Sequence, residues 1–258
     1  MAAPGLSPIS AMVQAHGVDL SPTIEMYLKV IVRMYDGEGP VSTSVVAREL
    51  SVSAASASAM LKRLDAEGYV THEGRHGVIP TAGGAVVGAL TLRRQCLAER
   101  LLVDFLKVPW ELAAAEACRL EHAISPLVEH LLAEFAGNPT TCPHGHPIPR
   151  EDGTRWRHDG ALELSELPVN APTYVLEVSH DMPELLKFLA DSGLMPGAEV
   201  IVRQRDRIAG LMTLGLVDGE RTVSLQLGKS IVVRDPRCMH AARADATPQY
   251  RDSPDPAR

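Results

Sequence analysis

The chain has 258 residues, of which 45% are apolar and only 4% aromatic, and its formal net charge is −7. This length accommodates one large domain or two to three small ones, with cores built mainly from Leu, Val, Ala and Met. The negative charge argues against indiscriminate nucleic-acid binding by the whole chain, and the lack of a signal peptide or of 18 consecutive apolar residues predicts a cytoplasmic protein without a membrane partner.

The first 82 residues predict an arm followed by a winged helix-turn-helix. Residues 1–20 lack periodicity and are expected to form a flexible arm. Helical spacing of apolar residues and serine caps predict helices over 24–35, 45–50 and 54–67, and the segments 69–72 and 77–80 predict a β-hairpin. This order of elements is typical of a winged helix-turn-helix, here spanning 21–82.

The third predicted helix carries small and hydroxylated side chains that suit a major groove. Basic and acidic side chains nearly balance over 21–80, so the prediction of DNA binding depends on the order of elements and not on charge. The alternative is that this Ser/Ala-rich helix simply packs tightly against a neighbour. The candidate DNA-binding residues, on this helix and on the hairpin, are Ser53, Ala55, Ser56, Ser58, Ala59, Lys62, Arg63 and Arg75.

Residues 83–150 predict a helical domain that suits a dimer core. A long helix is expected from Thr81 to about Leu106, another from Pro109, and a third from Ser125 to about Gly137. Residues 138–159 are rich in proline and predict a loop, which continues into a linker over 151–161.

One stretch of this helical block, EACRLEH at 116–122, places a thiol, a carboxylate and an imidazole at helical positions i, i+3 and i+4. Cys118, Glu121 and His122 would share one helix face and could form most of a transition-metal site. The alternative is a buried cysteine beside a solvated Glu-His pair. A thiol nucleophile with a histidine base is a third interpretation. No oxyanion arrangement, phosphate-binding glycine loop or HExxH motif accompanies it, so we expect no enzymatic activity and no small-molecule substrate.

The sequence pattern changes from helical to β-like from residue 162 onwards. Short β-like runs at 174–178, 199–203, 211–216, 222–227 and 230–234 surround one helix at 183–191 and predict a small barrel-like β domain over 162–236. Residues 237–258 are expected to be a disordered tail. Cys96, Cys118, Cys142 and Cys238 lie too far apart for a disulfide framework, which predicts reduced thiols, some of them metal ligands.

Four motifs carry a resemblance to a known family: TIEMYL at 23–28, LAERLL at 97–102, EACRLEH at 116–122 and CPHGHPIP at 142–149. The chain resembles the diphtheria-toxin-repressor (DtxR/MntR, IdeR-like) family of metal-dependent transcriptional regulators. The resemblance implies a mainly α protein with a small β domain: a winged helix-turn-helix, a helical metal-binding and dimerisation domain, and a C-terminal SH3-like barrel of the FeoA type. It further implies a homodimeric repressor of metal uptake genes that binds palindromic operator DNA when loaded with a divalent ion.

Carried over position by position, the resemblance implies a regulatory metal site of Met26, Cys118, Glu121 and His122. Sulfur ligands favour Fe(II), with Mn(II) as the alternative and Co(II), Ni(II) or Zn(II) as surrogates in vitro. Without the motif, Met26 would be read as core filling on an amphipathic helix. A winged-helix regulator that no longer senses metal is the remaining alternative.

A second, ancillary site implied by the resemblance is remodelled in this chain. Two histidines of the iron-sensing pattern fall on Gln95 and Ala114, while its glutamate is kept as Glu99. Ala59 likewise stands where iron sensors carry a base-reading Gln, so the operator is expected to differ. His144 is a further candidate ligand, and both His144 and His146 could equally be loop surface residues. The expected ancillary ligands are Glu99, Cys142, Glu177 and His180.

Overall fold

The computed structural model describes residues 20–35, 37, 39–179 and 182–238. The chain forms two compact units, of which the first extends to Pro143 and includes 147–157, and the second contains 144–146 and the residues from His158 onwards. The N-terminal arm up to residue 19, the tail from residue 239 and the predicted ligand His180 lie outside the described residues.

The first unit opens with a winged helix-turn-helix, as predicted. Ser42 and Ser53 each accept a hydrogen bond from a backbone N–H three residues later and so cap the second and third helices. The two wing strands pair antiparallel, with Thr71 opposite Ile79. The elements are α1 (Pro22–Met34), α2 (Thr43–Glu49), α3 (Ala54–Ala66), β1 (Val70–His72) and β2 (Val78–Pro80).

The core of this part is an apolar stripe of α1 packed against α3 and the wing. Ile24, Leu28 and Ile31 recur at helical spacing on α1 and are buried. Leu61 and Leu64 of α3 belong to the same cluster. The opposite face of α3 is therefore left to solvent, which a DNA-reading helix requires.

The rest of the first unit is helical, with irregular helix ends. The predicted continuous helix from Thr81 becomes one turn of π-helix at its end, because the Leu106 N–H bonds the Leu101 carbonyl five residues back. Pro109 leads through a 3₁₀ turn into the next helix, and Pro126 is the first residue of the last one, close to the predicted starts. The elements are α4 (Ala82–Arg100), the π turn (Leu101–Phe105), a 3₁₀ turn (Trp110–Leu112), α5 (Ala113–Leu120), a second 3₁₀ turn (Glu121–Ala123) and α6 (Pro126–Phe135).

Helix α4 carries glycines at two close backbone approaches. A Cβ on Gly88 would lie 2.5 Å from the Leu28 carbonyl oxygen of α1, and one on Gly84 would collide with the carbonyl oxygen of Tyr69, the residue before β1. These glycines cost helix stability and allow the backbone contact. The contact fixes α1, with the candidate ligand Met26, against the helical block.

The second unit contains a six-stranded antiparallel sheet. Its strands are numbered β3 to β8 in chain order, with the bounds given below, and they lie side by side in the order β3-β8-β4-β5-β6-β7. The predicted strand over 222–227 is wrong: the strand ends at Ser224, whose side chain caps a short helix. A short first strand also pairs with the last and was not expected from sequence. The elements are β3 (Ala161–Glu163), β4 (Pro172–Val178), α7 (Pro183–Asp191), β5 (Glu199–Asp206), β6 (Leu211–Leu216), β7 (Gly219–Ser224), α8 (Leu225–Lys229) and β8 (Ile231–Arg234).

Candidate metal centres and DNA-binding surface

The four predicted regulatory ligands come together within the first unit. Met26 lies on α1, Cys118 on α5, and Glu121 and His122 on the 3₁₀ turn that continues α5. The helix tightens into this turn shortly before Ser125 and Pro126 start the next helix. The i, i+3 and i+4 spacing still leaves the last three side chains on one face.

The two sulfur atoms lie at the centre of this cluster. Cys118 Sγ is 3.7 Å from Met26 Sδ and 3.8 Å from Glu121 Oε1. Burial raises the pKa of the Cys118 thiol, while the ammonium of Lys29 lowers it and the carboxylate of Glu121 raises it further.

The carboxylate of Glu121 is completely buried, with 0% of its side chain exposed. Lys29 donates a 2.6 Å hydrogen bond to its Oε1, whereas its Oε2 has no hydrogen-bond partner in the part of the chain that the structure describes. Burial raises the pKa of Glu121, although Lys29 opposes this shift. A buried carboxylate oxygen without a partner costs free energy, and a cation held there would relieve that cost.

A second carboxylate orients the imidazole of His122. His122 Nδ1 lies 2.5 Å from Glu25 Oε2, and Arg94 donates a 2.7 Å bond to Glu25 Oε1. Because a carboxylate accepts, Nδ1 carries a proton, and Nε2 is the ring nitrogen that faces the cluster, 3.2 Å from Glu121 Oε1. Such a nitrogen can bind a metal together with the carboxylate, and a carboxylate behind the histidine is the usual support of a metal-bound imidazole.

Three charged residues of this cluster were not among the predicted site residues. Glu25 and Arg94 act through contacts between segments 69 residues apart, which leave no local signal. Lys29 does leave a local signal in the sequence. It stands within the buried stretch of α1, three residues after Met26, where an apolar residue is expected. The resulting donor set of thioether, thiol, carboxylate and imidazole suits a transition metal, and it fits the ion that the family resemblance implies.

Two of the predicted ancillary ligands also meet in the first unit. Glu99 on α4 and Cys142 on the following loop are both buried, and their ligand atoms lie within 4.8 Å of one another. Gln95 donates a 3.1 Å hydrogen bond to Glu99 Oε1, and its own Oε1 is buried without a hydrogen-bond partner. Gln95 thus takes part in this buried polar group.

The third predicted ancillary ligand, Glu177, belongs to the second unit and is paired with histidines there. His146 Nδ1 lies 3.0 Å from Glu177 Oε1, and His158 Nε2 lies 3.9 Å from Oε2. Burial is the largest single influence and raises the pKa of Glu177, but the hydrogen bonds from His146 and Ser179 and the charges of His146 and His158 together hold this pKa below its ordinary value. His144, two residues after Cys142 in the chain, is buried, and its carbonyl accepts a bond from Val178 N.

The predicted DNA-binding residues lie on the solvent side of α3 and on the wing. All are exposed except Ser58, which is half-buried. The hydroxyl of Ser53 accepts from Ser56 N as the helix cap, and Arg63 pairs with Glu67 at 2.7 Å. Lys62 and Arg75 are exposed cations on α3 and in the wing turn respectively, so the two elements offer charge to a phosphate backbone.

Three family models match consecutive parts of the chain. Residues 19–78 match "Iron dependent repressor, N-terminal DNA binding domain", residues 81–150 match "Iron dependent repressor, metal binding and dimerisation domain", and residues 162–235 match "FeoA domain". Over the described residues, no helix is both long and apolar enough to cross a bilayer.

Curated relatives and solved structures give the same family. The chain is 35% identical over 198 residues to the iron-dependent repressor IdeR of Mycobacterium leprae, covering 71% of this chain and 85% of that protein. It is 26% identical over 197 residues to the diphtheria toxin repressor of Corynebacterium diphtheriae, covering 73% and 87%. A manganese-dependent transcriptional repressor in complex with manganese matches with a TM-score of 0.74 at 28% identity, covering 81% of this chain and 98% of that one. The manganese regulator SloR matches with a TM-score of 0.71 at 26% identity, covering 84% and 100%.

Proposed function

Since the chain belongs to the iron-dependent repressor family of IdeR and the diphtheria toxin repressor, we propose that it is a transcriptional repressor that binds operator DNA when loaded with a divalent metal ion. The observation that carries this proposal is the cluster of Met26, Cys118, Glu121 and His122, in which Glu121 is buried and the other three side chains are half-buried. These side chains bring four donor atoms together from α1, from α5 and from the turn that continues α5, and Glu121 Oε2 has no hydrogen-bond partner among the described residues.

In this proposal the four side chains hold the ion, and their origin explains the control of DNA binding. Met26 projects from α1 of the winged helix-turn-helix, whereas Cys118, Glu121 and His122 belong to the helical block. A bound ion would supply positive charge to all four donors at once. The ion would favour the arrangement of the winged part in which all four donors can reach it. If that arrangement is the one that fits DNA, operator affinity rises by a factor set by how much more tightly it binds metal than the other arrangements do.

The donor set favours Fe(II) as the physiological ion. Two sulfur donors and an imidazole are softer than the carboxylate, carbonyl and water ligands that suit Mn(II). A manganese-responsive regulator is the alternative, and two of the similar solved structures are a manganese-dependent repressor and a manganese regulator. Co(II), Ni(II) and Zn(II) accept the same donors and serve as surrogates in vitro.

We further propose an ancillary site built on Glu99 and Cys142. Both are buried ligand types whose ligand atoms lie close together, and His144 follows Cys142 by two residues along the chain. Glu177 and His180 are the other two ligands that the family resemblance implies, and they stay candidates on that ground alone. A site of this kind would adjust metal response without contacting the winged helix.

We propose that the repressor acts as a homodimer through α6 and the π turn. Phe105 of that turn stacks on Phe135 with ring centroids 4.5 Å apart. Leu127, Leu131 and Phe135 recur every fourth residue on α6, and each exposes more than half of its surface. An apolar stripe of this kind is typical of a protein interface. A two-fold dimer would present two α3 helices to the two halves of a palindrome.

Metal-dependent DNA binding tests this function directly. Binding sites are selected from a random duplex pool with and without metal, and anisotropy then measures affinity while Fe(II), Mn(II), Co(II) or Zn(II) is titrated under reducing conditions. We expect tight binding that a chelator abolishes and that His122→Ala loses. Lys187→Ala, which removes an exposed side chain of α7 in the second unit, is the control. Equal DNA affinity with and without metal would instead identify a winged-helix regulator that does not sense metal.

A further inference from the structure

Lys29 occupies an unusual place for a lysine. Its side chain is 6% exposed, and its ammonium lies among the regulatory ligands, 2.6 Å from Glu121 Oε1 and 3.8 Å from Cys118 Sγ. Lysine is almost never fully buried unless it is paired, because desolvating an ammonium is costly. The pair with Glu121 meets that requirement.

The pair also joins the same two elements as the proposed regulatory site. Lys29 lies on α1, three residues after Met26, and Glu121 lies on the turn after α5. Lysine carries a compact, strongly hydrated point charge with rotatable donors on a flexible stem. Such a group can approach a carboxylate and a thiol together, and it can be withdrawn without moving the helix backbone.

The other charges around this cluster are already balanced. Glu25 is paired with Arg94 at 2.7 Å and contacts His122. Glu121 is therefore the carboxylate whose charge Lys29 neutralises. A divalent ion at the same carboxylate would have to share it with an ammonium only a few ångströms away, and like charges in a poorly hydrated site repel strongly.

We infer that Lys29 is a built-in cationic competitor for the metal, which neutralises Glu121 in the metal-free protein and must release it before a divalent ion can bind there. This inference rests on the proposed regulatory site. Lys29 thus raises the metal concentration needed for activation. It also adds to the contacts that hold α1 to the helical block before metal arrives, beside the Glu25–Arg94 pair.

Replacing the charge tests the competition directly. Lys29→Met keeps the length of the side chain and removes the ammonium, and Co(II) serves as the probe because its thiolate charge-transfer band reports binding at a cysteine. All proteins carry Cys142→Ser, so that the band reports Cys118. We expect Lys29→Met to bind Co(II) at least about 10-fold more tightly than the parent. The metal-free variant should melt at a lower temperature, because Glu121 is left buried and unpaired.

Two further variants keep the result interpretable. Lys29→Arg retains the positive charge and should bind Co(II) no more tightly than the parent. Lys229→Met removes an exposed lysine from the second unit, and it should leave both Co(II) affinity and melting temperature unchanged. If Lys29→Met fails to fold, Lys29→Gln replaces it, since its amide still donates to Glu121.

The outcomes separate this inference from the function on which it rests. Equal or weaker Co(II) binding by the neutral Lys29 variant, with the charge-transfer band intact, would show that Lys29 is a structural partner of Glu121 and would overturn the inference. A parent protein that gives no Co(II) band would overturn the regulatory site itself. Tighter binding restricted to the neutral variant supports competition.

Discussion

The carboxylate of Glu25 should control how well His122 binds metal. Its Oε2 lies 2.5 Å from His122 Nδ1, so it fixes both the proton on Nδ1 and the direction of the ring. Loss of a supporting group behind a metal ligand typically weakens metal affinity about 10- to 100-fold, or roughly 1.4–2.7 kcal/mol. Glu25→Gln keeps an acceptor and should fall near 10-fold, whereas Glu25→Ala removes it and should approach 100-fold.

Arg94 should further weaken metal affinity when Glu25 is replaced. It bonds the other oxygen of Glu25 at 2.7 Å and is mostly buried. Without Glu25, its guanidinium becomes an uncompensated positive charge near a cation site, which also weakens metal binding. The double variant Glu25→Gln/Arg94→Met separates the two effects, because it removes the stranded charge and leaves His122 unsupported.

Competition titrations with Co(II) would measure these affinities in the Cys142→Ser background. Glu49→Gln, which alters another carboxylate of the winged part paired with Arg33 at 3.2 Å, is the matched control and should bind as the parent does. If Glu25→Ala binds Co(II) with parental affinity, His122 does not depend on Glu25, and the proposed orientation of its ring is wrong.

Three further predictions concern the coupling of metal binding to DNA binding, the relative importance of the two metal sites, and dimer formation. Met26→Ala should still bind metal but should lose about 5- to 150-fold in operator affinity at saturating metal, the usual range of coupling between two sites; parental operator affinity would make Met26 a packing residue. Cys142→Ser should reduce metal activation of DNA binding less than Cys118→Ser does, as measured by anisotropy, and equal losses would contradict a regulatory and an ancillary role. Leu131→Asp places a charge on the exposed apolar stripe of α6 and should shift sedimentation from dimer to monomer, whereas an unchanged dimer would place the interface elsewhere.

The regulatory cluster could be predicted because three of its residues are neighbours in the sequence and the fourth lies in a motif of the family. Cys118, Glu121 and His122 share a face through helical spacing alone, whereas Met26 is assigned only through the family resemblance. The role of Glu25 was not accessible, because its contact with His122 joins residues 97 positions apart. Lys29 stands out in the sequence as a lysine among apolar residues. Nothing near it in the sequence, however, identifies Glu121 as its partner.

The fold was predictable wherever periodicity and caps agreed. The winged helix-turn-helix has its hydrophobic stripe, serine caps and hairpin in the expected order. The error at 222–227 arose because Val223, Leu225 and Leu227 alternate as in a strand, while Ser224 acts as a helix cap. The π turn after α4 depends on a hydrogen bond to a carbonyl five residues back, and no sequence pattern distinguishes it from a continuing helix.

Burial of the Cys118 thiol predicts that metal binding depends on pH. Burial raises the pKa of this thiol, and the opposing effect of Lys29 does not cancel that shift. The thiol therefore carries its proton at pH 7 in the metal-free protein. Metal binds the thiolate, so binding releases that proton, and affinity should rise with pH by up to about 10-fold per unit until the pKa of the thiol is passed.

Calorimetry of Co(II) binding between pH 7 and 8.5, in buffers of different ionisation enthalpy, counts the released protons. In the Cys142→Ser background the parent site should release about one more proton at pH 7 than Cys118→Ser does, because a serine hydroxyl does not ionise in this range. The difference should persist across this range, since the raised pKa of the Cys118 thiol lies above it, and should shrink only as the pH approaches that pKa. Equal proton release with and without Cys118 would mean either that its thiol is ionised before metal binds or that it is not a ligand, and the charge-transfer band of the parent distinguishes these two cases.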